Sequence, residues 1–243
     1  MIVLFTDFGV SGPYVGQMKA VLAREAPGVP VIDLFADAPV HDPRAGAYLL
    51  AAYCEAFESG DILLCVVDPG VGGPRSACIV EAGERLFVGP ANGLFELVRR
   101  RAADTAIHEI TWRPGTLSAS FHGRDLFAPV AARLARGSTV PSAPRADDWD
   151  RRPDWPDDLA EVAYIDHFGN AISGLRAETL GPQAVLRVGG RRIPRARTFS
   201  DLPKGEVFWY ENANGLAELA INRGRADRVL DLGPGTQIDI EAP

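Results

Sequence analysis

Apolar positions follow two different regimes along the chain. Up to about residue 135, short unbroken apolar runs alternate with segments of helical period. "IVLFTDF" opens the chain with a run of strand length, and "YVGQMKAVLAREA" places Val15, Met18, Val21 and Leu22 on one helical face. "VPVIDLF" predicts a second strand, and "PRAGAYLLAAYCEAF" a long Ala-rich helix that begins at a proline. "DILLCVVD" is apolar without alternation, as expected of a strand covered on both faces. The strand-like runs "ACIVEA" and "RLFVGP" follow, then helices in "NGLFELVRRRA" and "DLFAPVAARLARG". This alternation predicts an α/β domain with a mostly parallel sheet over residues 1–136.

The pattern then breaks. Residues 137–158, "GSTVPSAPRADDWDRRPDWPDD", have no apolar period and are rich in Pro and Asp, which predicts an ordered linker. From residue 159 the runs "EVAYIDHFGNAISGL", "QAVLRVGGRRI", "EVFWYEN", "LAELAIN" and "TQIDIEA" are short, β-like and separated by Gly, Pro or Asn. They predict a small all-β barrel over residues 159–243.

Composition narrows the function classes. Hydrophobic residues make up 47% and charged residues 23%, values ordinary for a globular protein. The formal charge is −7, and the arginines that cluster at 99–101 and 191–197 form no basic block, so no nucleic-acid partner is expected. Cys54, Cys65 and Cys78 are odd in number, lie in apolar surroundings and form no CxxC pair. They predict reduced thiols in the cytoplasm rather than a disulfide framework. The apolar N-terminal run is too short for a membrane span and lacks a basic n-region, so no membrane association is expected.

Acidic residues end two of the predicted strands: Asp7 in "FTDFG" and Asp68 in "VVDPGVGGPR". In open α/β sheets the ligand crevice lies beyond the carboxyl ends of the strands. Asp, Pro and Gly also make turns, and a turn accounts for either motif alone. Two in the same topological position point to one crevice. The loop after Asp68 has neither the GxxxxGK[ST] nor the GxGxxG pattern of phosphate binding. Its glycines let the backbone approach a ligand and let Arg75 reach back toward Asp68.

His122 lies in "SASFHGRDLF", between the flat ring of Phe121 and the bare Gly123. A lone histidine is more often a packing residue than a catalyst. An Asp, an Arg and a His together can hold a water, with the carboxylate accepting its proton. The four histidines show no HxxxH or HxH spacing, so no metal site is expected, and no GxSxG marks a serine nucleophile. In the second half, "IDHFGN" and "WYENANGLAELAIN" read as β-turns, or as turns that supply hydrogen bonds and stacking to an adenine-type ligand.

"TDFG…YVGQMKA", "VVDPGVGGPR", "SFHGRDLFAPVAA", "DHFGN" and "NGLAELAINRGRA" occur in an order that resembles the S-adenosyl-L-methionine (SAM) hydroxide adenosyltransferases. These adenosine-forming SAM hydrolases are related to the SAM-dependent fluorinase and chlorinase. The resemblance spans Ile2 to about Ala226, and "DPGVG…R" and "FHGRD" are its most specific motifs. It implies hydrolysis of SAM to adenosine and L-methionine without a cofactor, in a homotrimer. Each site would lie between the N-terminal domain of one subunit and the C-terminal domain of a neighbour.

The family's catalytic Asp-Arg-His set falls on Asp68, Arg75 and His122, and its ribose-binding Asp on Asp7. Base and methionine contacts fall around Asp166, Phe168 and Asn170, on Phe199 in "TFSD", and on Asn212 and Ala213 in "ENANG". Phe121 is expected to face the substrate beside His122. The chain departs from the family at Ala91, where an Asp is usual, and at Ala213, where a Ser is usual. The halogenating relatives lack a His beside the Phe, so His122 points to water as the nucleophile. The alternatives are a halogenase-type relative and a SAM- or adenosine-binding protein with little turnover.

Overall fold

Strand β1 (Ile2–Thr6) is buried along its whole length, as its unbroken apolar run requires. The computed structural model describes residues 1–241. Helix α1 (Tyr14–Glu25) leads to β2 (Val31–Phe35), and α2 (Pro43–Tyr53) returns the chain across β1 to β3 (Ile62–Val66). Asp42 caps α2 by accepting the amide of Ala45 at 3.0 Å, and Pro43 occupies the first helical position. Strands β4 (Ala77–Ala82) and β5 (Arg85–Pro90), helix α3 (Glu96–Arg101), β6 (Thr105–Ile110), α4 (Ala128–Ala135) and β7 (Ser142–Arg145) complete the first unit.

The sheet order is β2-β1-β3-β5-β4-β6-β7. Strands β2, β1, β3 and β5 are mutually parallel, and β4, β6 and β7 extend the sheet with antiparallel ladders. Side chains alternate between two layers. Ile2, Leu4, Ile62 and Leu64 pack with α1 and α4. On the other face, Gly46 of α2 packs where an added Cβ would lie 3.1 Å from Leu94 and in ordinary contact with Phe5 of β1 at 3.7 Å. Cys54, Cys65 and Cys78 are free and buried, and burial pushes their thiols up, that of Cys54 to about 12. They act as small apolar residues in this core.

The chain divides into a unit of residues Met1–Asp154 and a second unit that begins at Trp155. Residues 142–145, inside the segment expected as a linker, are strand β7 of the first sheet. The residues that follow are tied to α3. Arg99 donates to the carbonyls of Asp147 and Trp149, Asp150 accepts the amide of Gly93, and Glu96 accepts the amide of Arg152. Polar anchoring of this kind leaves no apolar periodicity, which is why the segment reads as a connection.

The second unit holds β8 (Leu159–Ile165), β9 (Ala171–Arg176), β10 (Val185–Val188), β11 (Arg191–Ile193), β12 (Val207–Glu211), β13 (Leu216–Ile221), the short helix α5 (Ala226–Val229) and β14 (Asp239–Glu241). Antiparallel ladders give a four-stranded sheet β12-β13-β9-β8 and a three-stranded sheet β11-β10-β14. Single bridges join them, Glu161 to Gln237 and Arg195 to Trp209. No continuous ladder crosses either seam among the described residues, so the strands form two antiparallel sheets rather than a closed barrel. The fully buried Trp209 fills the core, with its indole N–H donating to the carbonyl of Ala184 at 2.9 Å. No helix among the described residues is long and apolar enough to cross a membrane.

Candidate active site

The connection after β1 runs to one side of the sheet and the connection after β3 to the other. The carboxyl ends of these neighbouring strands therefore flank a topological switch point, where a crevice opens. Asp7 follows β1 and Asp68 lies two residues beyond β3, with Thr6 opposite Val66 in the parallel register. The Asp7 carboxylate accepts the amide of His41 at 3.0 Å. His41 is in the left-handed region at φ 58°, a strained conformation that turns its amide toward the crevice. Burial raises the Asp7 pKa above the usual carboxylate value, partly offset by the His41 amide, and the nearby Asp68 adds to the rise.

The loop from Asp68 to Arg75 folds through two tight turns, with Val71 N–H donating to Asp68 O and Gly73 N–H to Gly70 O. Gly72 sits at φ 78°, and a Cβ there would run into the carbonyl of Ala119. Only glycine permits so close an approach of this loop to the segment before His122. As a result Arg75 reaches two partners. Its Nε lies 2.9 Å and 3.0 Å from the two Asp68 oxygens, and its Nη2 pairs with Oδ2. The same Nη2 lies 2.9 Å from Nδ1 of His122. The side chains of Asp68 and Arg75 are 4% and 12% exposed, so the pair is largely out of water. Beneath it the guanidinium rests 5.2 Å from the ring centre of Phe127.

This geometry sets the protonation of His122. A guanidinium has only donors, so Nδ1 must accept from Arg75, and the proton of the neutral ring resides on Nε2. Burial lowers the His122 pKa, and the charge of Arg75 lowers it further. The set is thus a line, Asp68–Arg75–His122, with a carboxylate acceptor at one end and an imidazole N–H donor at the other.

His122 is held at the start of a π-helical turn, Gly123–Phe127, in which Ala128 N–H donates to Gly123 O. Such wide turns recur at functional sites. A Cβ on Gly123 would lie 3.2 Å from both Met18 and Phe8, so the glycine lets an aromatic wall close beside the histidine. In that wall Phe121 meets Phe8 and Tyr14 edge to face at 5.7 Å and 5.5 Å between ring centres. Arg124 covers the Phe121 ring at 5.0 Å and donates to Asp125, which accepts the amide of Ser118 at 2.9 Å. These contacts fix the turn from both ends.

In the second unit, the β8–β9 turn holds Asp166 against Asn170. The two Asp166 oxygens accept the Asn170 amide at 2.8 Å and its Nδ2 at 3.0 Å. Phe168 projects from this turn and is 71% exposed. Arg225 donates to the His167 carbonyl, and the amide of Asp227 at the start of α5 donates to Gly169, so the "NRGRA" segment buttresses the turn. Phe199 is half-buried between Phe208 and Tyr210. Asn212 shapes the β12–β13 turn. Its Oδ1 accepts the amides of Asn214 and Leu216, and its Nδ2 donates to Glu218 at 3.0 Å. The side-chain oxygen of Asn212 is therefore spent on the turn. Ala213 is exposed at its tip.

The structure thus brings Asp68, Arg75, His122, Phe121 and Asp7 to one end of the first sheet. It gathers Asp166, Asn170 and Asn212 around one buried carboxylate in the second unit. Sequence reading did not identify that carboxylate, Glu218, or the aromatic partners Phe8 and Tyr14. A charged residue inside the apolar run "LAELAIN" is the signal that marks Glu218; Phe8 and Tyr14 lie within the motifs "TDFG" and "YVGQMKA", but their packing against Phe121 follows only from the fold. Among the described residues no group of three His, Cys, Asp or Glu side chains is placed to hold a metal ion.

Residues 2–143 match the SAM hydroxide adenosyltransferase N-terminal domain, and residues 160–239 match the C-terminal domain of the same family. The chain is 38% identical to an (R)-S-adenosyl-L-methionine hydrolase of Thermus thermophilus over 98% of both chains. A solved structure of an uncharacterized conserved protein from Thermotoga maritima superposes with a TM-score of 0.89 at 30% identity, covering both chains completely. A fluorinase of Nocardia brasiliensis is more distant, at 22% identity over 99% of this chain and 96% of its own.

Proposed function

The chain belongs to the SAM hydroxide adenosyltransferase family, and from that membership we propose that it hydrolyses SAM to adenosine and L-methionine. The observation that carries this reading is the Asp68–Arg75–His122 line at the switch point of the first sheet. In the reaction an O–C5′ bond forms as the C5′–S bond breaks, and the electron pair of that bond stays on sulfur. The sulfonium becomes a neutral thioether, so the leaving group needs no acid. The difficulty is to hold a weak nucleophile in line behind C5′, which makes positioning the main task of the protein.

The line of side chains divides that task. Arg75 occupies part of the Asp68 carboxylate and leaves acceptor capacity on Oδ1 for a water. The Nε2–H of His122 donates to the same water, because Nδ1 is engaged by Arg75. Asp68 then accepts the proton the water loses, and His122 orients the oxygen. A low-water site favours the step, since attacking oxygen and sulfonium lose hydration as their charges approach. Asp7 takes the ribose hydroxyls, and Phe121 lines the pocket beside His122. In the second unit Asp166 takes the methionine ammonium, with Phe168, Asn170, Phe199, Asn212 and the backbone at Ala213 contacting the rest of the substrate. The reaction balances without a metal or cofactor.

We further propose a homotrimer in which each site draws on two subunits, and a cytoplasmic location, which suits three reduced and buried thiols. Incubating the purified protein with SAM in 18O-labelled water, with and without chloride, tests the central reading. Adenosine labelled at the 5′-hydroxyl and free methionine are expected. A 5′-halogenated adenosine, or intact SAM after long incubation, would overturn it.

A further inference from the structure

We infer that Glu218 is a positioning residue that locks the Asp166–Asn170 turn and the Asn212–Gly215 turn into one receptor for the substrate; the inference rests on the assignment of SAM as that substrate. Glu218 lies on β13, opposite Tyr210 of β12 and Ile172 of β9, where the three strands meet the two turns. It is 4% exposed, amid the buried Leu216, Ala217, Leu219, Ala220 and Ile221. A carboxylate at such a place is costly, and an apolar side chain would serve packing better.

Two donors are bonded to it. Tyr210 donates its hydroxyl at 2.6 Å and Asn212 its Nδ2 at 3.0 Å, and the side-chain amide of Asn170 faces the same carboxylate and favours its ionised form. Each asparagine passes the constraint outward. Asn170 uses its Nδ2 and its backbone N–H to fix both oxygens of Asp166. Asn212 uses its oxygen to fold the chain from Asn214 to Leu216. Tyr210, Asn212 and Asn170 all turn donors toward this point, so an acceptor without hydrogens suits it and an amide, which would set an N–H among them, does not. The two turns belong to different strand connections, and this carboxylate joins them.

A purely structural hub would affect stability alone, whereas a positioning residue affects substrate binding. The test is Glu218→Gln in the full chain, which keeps volume and sets an amide among the donors. Kinetics with SAM are expected to show KM raised about 10- to 100-fold, the effect of misplaced buried hydrogen bonds, with kcat within about threefold. In a cycle with Asn170→Ala, the double variant is expected to be little worse than the worse single variant, because Glu218 acts through Asn170. A lowered melting temperature with KM unchanged would overturn the inference, as would effects that multiply independently. If Glu218→Gln does not fold, Tyr210→Phe deletes one donor without burying a new polar group. It is expected to raise KM about three- to tenfold, and an unchanged KM overturns the inference. Wild-type protein that leaves SAM intact would overturn the functional reading and this inference together. Turnover by the wild type with KM unaffected in the variant overturns this inference alone.

Discussion

Nη2 of Arg75 lies 2.9 Å from Nδ1 of His122, and this contact makes Nδ1 the acceptor and Nε2–H the donor of the neutral ring. The guanidinium also grips Asp68, so one side chain sets the position of the acceptor and the tautomer of the donor. Arginine suits this task because its fork is planar and permanently charged. A lysine carries its three donors on a single nitrogen and has no fork to span Asp68 through one nitrogen and His122 through another.

Arg75→Lys should therefore preserve charge and fold yet lower kcat by about 10²- to 10³-fold, the scale of lost acid–base and positioning assistance. Asp68→Asn and His122→Ala should each fall in a similar range. Their combination should cost little more than the worse single change, since residues that act as a unit are non-additive. Steady-state kinetics with SAM and circular dichroism on the variants check this. Multiplicative losses would show that the two residues act separately.

Acid should switch the site off through His122. Its pKa lies below the ordinary value near 6.5, because burial and Arg75 both disfavour the imidazolium. Activity should stay level as pH falls from about 8 to about 6.5 and then decline with an apparent pKa under 6.5. Protonation at Nδ1 would set an imidazolium against Arg75 and break the line. Stability has the same sign: the unfolded histidine binds a proton first, so this contribution is lost as pH falls below about 6.5. In His122→Gln the part of the acid limb due to this residue should vanish. A limb unchanged in that variant would assign the titration elsewhere.

Asp7 should behave as a binding group. A carboxylate that accepts from both ribose hydroxyls makes much the same bonds in the ground and transition states, so its loss raises KM more than it lowers kcat. For Asp7→Ala, KM for SAM and the dissociation constant of adenosine should rise together, by about 10- to 100-fold for a pair of charged hydrogen bonds. A collapsed kcat at unchanged KM would move Asp7 into the catalytic line.

The legibility of this fold in sequence follows the physics of each segment. Strands β1 and β3 are covered on both faces, so their apolar runs are unbroken and easily read. Strand β7, "SAPR", sits at the sheet edge with two prolines' worth of turn character around it and no apolar pattern, so it reads as linker. The antiparallel sheets of the second unit were legible as short strands, but closure depends on seams that are single bridges, which no local pattern encodes. At the site, Asp68, Arg75 and His122 stand out because charged residues follow strand ends and glycines mark close approach. Glu218, Phe8 and Tyr14 act through contacts between distant segments, and Tyr14 is itself half-exposed at a helix start.

Gly72 is the glycine that brings the Asp68–Arg75 loop against the segment before His122. Gly72 and Gly137 both adopt positive φ, 78° and 69°, so alanine at either position carries the same left-handed strain of about 1 kcal/mol. Their surroundings differ. A Cβ at Gly137 meets nothing within 4 Å, whereas at Gly72 it meets the Ala119 carbonyl, which must move. Ala119 lies three residues before His122, so relief of that clash separates Arg75 from Nδ1. Gly137→Ala should then cost about 1 kcal/mol of stability and leave kcat intact. Gly72→Ala should cost more, about 2–3 kcal/mol with the added steric term, and lower kcat at least tenfold. Denaturant unfolding and SAM kinetics on both variants give the comparison. Equal stability losses, or a full kcat in Gly72→Ala, would mean that the loop reaches His122 without needing this close approach.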